Sequence, residues 1–366
     1  MEGHALIFFV AGLLLLIGGA ELLVRGATRL SLYIGIPPLV IGLTVVAFGT
    51  SAPELAVSVQ SALAGQANIA LGNVLGSNIF NVLFILGASA LITPLVVTRK
   101  LVRVEVPIMI GVSVLLGGMA WDERIGRVDG TLLFGGLLIY TVGSVLAGLR
   151  DRKVEEHGQR GALGRKDHAG RGLWVRSIGY VIVGLILLVF GARWLVEGAV
   201  SMARFLGLDE LVIGLTIVSA GTSLPEVATS IVASLRGERD IAVGNVVGSN
   251  IFNILGVLGL SSLMGPQGIS ISPAVMRFDI PVMIAVAAAC LPIFFTEKRI
   301  SRWEGSLFLG YYGAYTLYLL LRGVHHRTLP VFNTIMLAFV IPLTVITVSV
   351  IALRALRSRR AGSLSG

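Results

Sequence analysis

Long apolar runs, most of them near 20 residues, follow one another along the chain and are separated by short polar segments. An α-helix needs about 20 apolar residues to cross the hydrocarbon core of a bilayer. The first run follows the segment MEGHA, which lacks the basic residues of a signal peptide, so we predict that this helix is retained. The pattern predicts eleven helices, at 5–24, 37–64, 68–92, 104–121, 129–149, 175–200, 209–235, 241–264, 279–295, 303–322 and 330–353.

Polar residues interrupt these runs in a pattern that occurs twice. Residues 42–58 read GLTVVAFGTSAPELAVS and residues 214–230 read GLTIVSAGTSLPEVATS; further along, 72–83 read GNVLGSNIFNVL and 244–255 read GNVVGSNIFNIL. Both blocks repeat at an offset of 172 residues without a gap. They fall in the second, third, seventh and eighth helices, which we expect their glycines and prolines to break. Duplicated interruptions at this depth are typical of a transporter's central binding site.

The duplication extends beyond these blocks. Upstream, GGAELLVRGA at 18–27 parallels FGARWLVEGA at 190–199, and downstream RVEVPIMI at 103–110 parallels RFDIPVMI at 277–284. Each repeat contains five helices, and because five is odd the second copy crosses the membrane in the opposite direction. The sequence therefore predicts an all-α integral membrane protein with a ten-helix core of two inverted five-helix repeats and an eleventh, C-terminal helix.

The chain divides into five parts on this basis. They are a first repeat at 1–149 with its motif at 42–83, a charged cytoplasmic linker at 150–174, a second, inverted repeat at 175–322 with its motif at 214–255, an extra transmembrane helix at 330–353, and a basic cytoplasmic tail at 354–366.

Composition and charge agree with a membrane protein. The chain is 55% hydrophobic and 13% charged, with a mean hydropathy of +0.89. Its net charge of +9 does not indicate nucleic-acid binding, because the basic residues lie between the apolar runs. With the N-terminus outside, the inside segments hold 22 Lys and Arg residues and the outside segments hold 7. This bias predicts an external N-terminus and a cytoplasmic C-terminus.

Each copy of the motif places oxygen-bearing side chains where a proline disturbs the helix. In the first copy, Thr50 and Ser51 precede a proline and Glu54, and the proline frees carbonyl oxygens of the preceding turn. In the next helix, Ser77 and Asn81 are four residues apart and share a face. Such oxygens suit a hard cation such as Ca2+, whereas zinc or copper would favour His or Cys. The second copy supplies Thr222, Ser223, Glu226, Ser249 and Asn253.

The charge of this cluster favours exchange over leak. Glu54 and Glu226 together carry −2, which one Ca2+ neutralises and several Na+ could also offset. Without a cation, two carboxylates in a low dielectric would take up a proton or bind another ion. Two other classes of protein fit the sequence less well. An intramembrane enzyme would need an aspartate pair or an activated nucleophile, and the inverted duplication argues against a cation channel.

The paired GTSxPE and GNxxGSNIFN blocks resemble the two α-repeats of the sodium/calcium exchanger family, within the cation/calcium antiporter superfamily. The resemblance spans both five-helix halves, and it implies alternating access by sliding of the first and sixth helices, with three Na+ exchanged for one Ca2+. It implies no cofactor, transported Ca2+ and Na+ as the ligands, and a prokaryotic inner membrane as the location. The implied Ca2+ ligands are Glu54, Glu226, Thr50 and Thr222. The implied Na+ sites add Ala47, Ser51, Ser77, Ser219, Ser223 and Ser249, with Asn81 and Asn253 flanking the centre.

Two departures from related branches bear on the coupling ion. The potassium-dependent branch has an aspartate where this chain has Asn253, so we expect K+-independent transport. The proton/calcium branch has a different motif after its second glycine-asparagine pair, which favours Na+ over H+. Exchange of Ca2+ or another divalent cation for H+, by the same two glutamates, stays open as the alternative. The sequence leaves the oligomeric state open.

Overall fold

The computed structural model describes residues 2–158, 171–206, 219–295 and 299–323, together with positions 336 and 345. The helices are α1 (Glu2–Ile34), α2 (Pro38–Thr50), α3 (Ala52–Leu63), α4 (Ala67–Ile92), α5 (Leu101–Asp122), α6 (Arg127–Gly158), α7 (Arg171–Phe205), α8 (Ser219–Gly221), α9 (Leu224–Leu235), α10 (Arg239–Met264), α11 (Val275–Phe294) and α12 (Arg302–Gly323). The strands are β1 (Leu95–Val96), β2 (Arg124–Ile125), β3 (Ile269–Ser270) and β4 (Arg299–Ile300).

The first ten predicted helices correspond to these elements, the seventh from residue 219 onward, and three of the ten are longer than predicted. The helices α1, α6 and α7 contain 33, 32 and 35 residues. A helix needs only about 20 residues to span the hydrocarbon core, so their ends extend beyond it. The predicted eleventh helix at 330–353 lies outside the described residues except at 336 and 345. Residues 159–170, 207–218 and the tail at 354–366 also lie outside them.

The break expected in the motif helices occurs in the second and seventh helices but not in the third and eighth. The helices α2 and α3 are bent by 46°, with Ser51 between them and a proline in the first turn of α3. Ser223 occupies the equivalent position before α9. The expectation was wrong for α4 and α10, which continue through π-helical turns at Asn81–Leu86 and Asn253–Leu258. They contain glycines but no proline, so every residue keeps its backbone N–H.

Two short strand pairs show how the two five-helix halves are oriented relative to each other. The strand β1 pairs with β4, and β2 pairs with β3, both antiparallel. Each pair joins a loop of the first half to a loop of the second. The loops of β1 and β4 therefore lie at one face of the molecule, and those of β2 and β3 lie at the other, because one helix separates β1 from β2 and one helix separates β3 from β4. The pairing requires an odd number of crossings in each half, as the inverted repeat predicts.

The helices α1 and α7 run antiparallel at very short distance. Glycines recur every seven residues on both helices, at 12, 19 and 26 on α1 and at 184, 191 and 198 on α7. A Cβ atom built on Gly19 would lie 2.8 Å from the Gly184 carbonyl oxygen, and one built on Gly191 would lie 2.7 Å from the Leu16 nitrogen. Only glycine lets two helix backbones come this close, which is a common device in membranes.

The helices that carry the second motif of each half lie innermost. The most apolar window of α10 is fully buried and that of α4 is 72% buried, whereas that of α6 is 22% buried. Exposed apolar side chains on the outer helices face the lipid, as expected where the solvent is hydrocarbon. The centre of the molecule is thus formed by α3, α4, α9 and α10.

Single cysteines at the two strand pairs test the predicted orientation. In a Cys290→Ala background, Val96→Cys should react with a membrane-impermeant maleimide only from the cytoplasmic side, and Ser270→Cys only from outside. Both positions are exposed, and positive-inside counting places the loop of β1 with the basic segments. Arg299→Cys, the partner of Val96, should follow it. Labelling of Val96→Cys and Ser270→Cys from the same side would contradict the inverted repeat.

Candidate functional site

Two buried glutamates occupy equivalent positions after the two helix breaks. Glu54 lies in the first turn of α3 and Glu226 in the first turn of α9. Both side chains are fully buried. A helix N-terminus carries a partial positive charge that stabilises a carboxylate placed there. The break before each helix thus places a helix N-terminus and a glutamate together at the centre of the molecule. The partial charge of that N-terminus stabilises the glutamate carboxylate.

Each glutamate is bound by a serine of the opposite half. The Ser51 hydroxyl donates to Glu226 Oε1 at 2.9 Å, and the Ser223 hydroxyl donates to Glu54 Oε1 at 2.8 Å. Ser77 Oγ lies 3.1 Å from Ser223 Oγ, so the next helix of the first half joins the same cluster. The two motifs therefore form one site, and neither half is complete without the other.

Two asparagines outside the predicted ligand set hold the walls of the site in place. Thr50 donates to Asn245 Oδ1 at 3.1 Å, and Thr222 donates to Asn73 Oδ1 at 3.2 Å. The Asn73 amide also donates to the Glu54 backbone carbonyl at 3.1 Å. Both asparagines repeat at the 172-residue offset, and that repetition is the signal that could have identified them.

A second asparagine network crosses between the halves beside the glutamates. The Asn78 amide donates to the backbone carbonyl of Asn250 at 3.3 Å, and the Asn250 amide donates to the backbone carbonyl of Asn78 at 3.2 Å. Asn81 donates to the side-chain oxygen of Asn250 at 3.0 Å, and Asn253 donates to that of Asn78 at 3.1 Å. These amides fix α4 against α10 where the π-helical turns begin.

Several oxygens at this centre are buried without a hydrogen-bond partner among the described residues. A buried acceptor without a donor is costly and calls for an explanation, such as an ion. The hydrogen bonds between the halves use one oxygen of each glutamate carboxylate and the NH2 groups of Asn81 and Asn253. The remaining oxygens of these side chains are therefore available to a cation. They are Glu54 Oε2, Glu226 Oε2, Asn81 Oδ1, Asn253 Oδ1 and Ser249 Oγ. This set of hard oxygens fits Ca2+ or Na+ as a transported substrate.

The remaining predicted residues are placed as follows. Ala47 is buried, and its carbonyl accepts the Ser51 backbone N–H at 3.0 Å. Ser249 is fully buried on α10. Ser219 begins α8, and its side chain lies outside the described residues. No three His, Cys, Asp or Glu side chains come together within the described part of the chain.

Comparisons with known proteins agree with this architecture. The family described as "Sodium/calcium exchanger protein" matches residues 4–146 and 176–321. The chain is 31% identical over 343 residues to the sodium/calcium exchanger MaX1 of Methanosarcina acetivorans, covering 86% of this chain and 97% of that protein. It is 41% identical over 279 residues to the inner membrane protein YrbG of Escherichia coli, covering 76% of this chain and 85% of that protein.

A solved structure shares the fold. The sodium-calcium exchanger NCX_Mj, soaked with Na+ and without Ca2+, superposes with a TM-score of 0.73 at 30% sequence identity, covering 85% of this chain and 97% of that one. This likeness and the helices described above confirm the prediction of an all-α membrane protein.

Proposed function

The chain belongs to the sodium/calcium exchanger family, and we propose that it exchanges Na+ for Ca2+ across the membrane by alternating access. Membership confirms the resemblance drawn from the GTSxPE and GNxxGSNIFN blocks. It makes the protein a membrane antiporter of Ca2+ and another cation. The identity of that cation, the charge moved and the residues that bind the ions are the parts that we propose.

The proposal rests on the two buried glutamates, each of which is bound by a serine of the opposite half and keeps one carboxylate oxygen without a partner among the described residues. Ser51 and Ser223 bind one oxygen of each carboxylate, and the second oxygen of each has no partner among the described residues. One Ca2+ would neutralise both charges, and Na+ ions would each share one of them. The proposed ion ligands are those of the sequence analysis: Glu54, Glu226, Thr50, Thr222, Ser51, Ser223, Ser77, Ser249, Asn81, Asn253, Ala47 and Ser219.

Amides at both flanking positions support K+-independent, electrogenic exchange. Asn81 and Asn253 are neutral, so the site holds two carboxylates and no third one is supplied from these positions. With three Na+ exchanged for one Ca2+, each cycle would move one net positive charge in the direction of Na+. We propose the inner membrane of a prokaryotic cell as the location, with the N-terminus outside and the C-terminus cytoplasmic.

Ca2+ uptake into proteoliposomes tests both the coupling ion and the charge moved. Vesicles loaded with Na+ should take up radioactive Ca2+, whereas an outward K+ or H+ gradient should not drive uptake. An inside-positive potential set with valinomycin should accelerate this Ca2+ entry, because net positive charge leaves. Moving one charge across the membrane potential changes the free energy by about 2.3 kcal/mol per 100 mV. This corresponds to roughly a 50-fold change in the final ratio of internal to external Ca2+.

The control is an electroneutral ionophore that collapses the Na+ gradient, after which uptake should stop. Uptake that follows the pH gradient and ignores the voltage would overturn the Na+ assignment. It would indicate exchange of Ca2+ for two protons at the same glutamates.

A further inference from the structure

A basic cavity lies away from the ion site, between α1 and the turn after α9. It has a volume of about 170 Å³, far more than a single water molecule occupies. The positive-inside count places this end of α1 and the turn after α9 at the cytoplasmic face. The residues that line the cavity are Val24, Arg25, Thr28, Arg29, Arg236 and Glu238.

Positive charge is in excess around this cavity. Three arginines and one glutamate line it. Glu21 bonds to both Arg25 and Arg236, so together with Glu238 two carboxylates oppose three arginines and one positive charge is in excess. Arg29 and Arg176 both lie 5.3 Å from the centre of the Tyr180 ring, so the aromatic ring orients them without cancelling their charge.

The cavity retains unused donor capacity. A guanidinium has five N–H donors, more than one carboxylate can accept. The side chains of Arg25 and Arg236 are 48% and 40% exposed. The buried hydroxyl of Thr28 has no hydrogen-bond partner among the described residues. Arginine donors and a hydroxyl around one space are the groups that bind a phosphate.

The fold itself does not require this cluster, since the opposite half lacks it. At the 172-residue offset, Arg25 corresponds to Glu197, Arg29 to Ser201 and Arg236 to Ala64. The backbone is duplicated, yet none of these three arginines has a basic counterpart in the other half. The pseudo-symmetric packing of α1 and α7 therefore does not by itself account for Arg25 and Arg29, although the Glu21–Arg236 ion pair joins α1 to the turn after α9.

The surroundings indicate what kind of phosphate would reach the cavity. Ile17 on α1, eight residues before Arg25, is 52% exposed, and Ile182 and Ile186 on α7 are similarly exposed. These side chains face the hydrocarbon, so the arginines lie at its border with the headgroups. Basic pockets between helices at this level bind anionic lipid headgroups. We propose that the cavity binds the phosphate of an anionic phospholipid, whose acyl chains lie along the apolar faces of α1 and α7.

Native mass spectrometry of the detergent-purified protein tests this proposal. The probe is phosphatidylglycerol, with zwitterionic phosphatidylcholine in parallel. The wild type should retain phosphatidylglycerol in preference to phosphatidylcholine. Because a hydrogen bond to a charged group contributes about 1.5–3 kcal/mol, Arg29→Gln should weaken retention roughly 10-fold or more. Thr28→Val should weaken it in the same direction.

The matched control is Arg103→Gln, an exposed arginine on the same predicted face but outside the cavity; it should retain phosphatidylglycerol like the wild type. Equal retention by the wild type and Arg29→Gln would overturn the proposal, as would equal retention of the two lipids by the wild type. Displacement of the lipid by millimolar inorganic phosphate would assign the cavity to a soluble phosphate and overturn the lipid assignment.

Discussion

Glu54→Gln and Glu226→Gln are each expected to abolish Ca2+ transport while leaving folding and membrane insertion intact. Both carboxylates are fully buried, and each leaves one oxygen without a partner among the described residues. Glutamine keeps the size and can still accept the bond from Ser223 or Ser51. It removes half the negative charge that opposes a divalent cation in a poorly solvated site. Each carboxylate contact should be worth several kcal/mol, so uptake should fall by about 100-fold or more.

The chain offers a buried glutamate outside the site as a matched control. Glu105 is 2% exposed and accepts a hydrogen bond of 2.9 Å from the Tyr140 hydroxyl. Glutamine at this position can accept the same bond, so Glu105→Gln should transport Ca2+ at close to the wild-type rate. Near wild-type uptake by Glu54→Gln or Glu226→Gln would refute the assignment. An equal loss of Ca2+ uptake in Glu105→Gln would mean that removing any buried charge impairs transport, whether or not the residue lies at the ion site.

The sequence predicts that the two glutamates and the motif hydroxyls meet at the centre, but not how they pair. The spacing of Thr50, Ser51 and Glu54 predicts that their oxygens converge on one face as a single group of ligands. In the structure Ser51 bonds to Glu226 of the other half instead. Local spacing determines which residues share a face, whereas the contact across the pseudo-two-fold axis depends on packing between residues 175 positions apart. Periodicity carries no information about that separation.

The role of the motif glycines was predicted only in part, for the same reason. The glycines of α4 and α10, such as Gly248, are interpreted from the sequence as helix-packing or hinge positions that break their helices, but both helices continue. A Cβ atom built on Gly248 would lie 2.6 Å from the Leu43 carbonyl oxygen and 2.9 Å from the Ala47 side chain. This glycine therefore lets α10 approach α2, and its effect depends on a neighbour that the local sequence does not reveal. A glycine in a membrane helix can serve bending or close packing, and the sequence alone does not distinguish the two.

Gly19→Ala is expected to destabilise the protein substantially, although it adds only one methyl group. The new Cβ atom would lie 2.8 Å from both the Gly184 carbonyl oxygen and the Leu188 nitrogen. These are backbone atoms of α7, so the two helices would have to separate. Overpacking of a close-packed contact costs about 1–3 kcal/mol. The measurement is the thermal unfolding midpoint of the detergent-purified protein, monitored by size-exclusion chromatography. The midpoint of Gly19→Ala should fall clearly below that of the wild type.

The neighbouring Gly18 provides the control, because a Cβ atom built there meets nothing within 4 Å. Gly18→Ala adds the same methyl group to the same helix and raises its helix propensity, so its midpoint should equal or exceed the wild-type value. A similar loss in both variants would show that α1 needs flexibility rather than close contact with α7. A loss confined to Gly19→Ala would mean that the glycine heptads hold α1 and α7 together as one unit. In an exchanger that works by sliding its first and sixth helices, these two helices would then move as a pair.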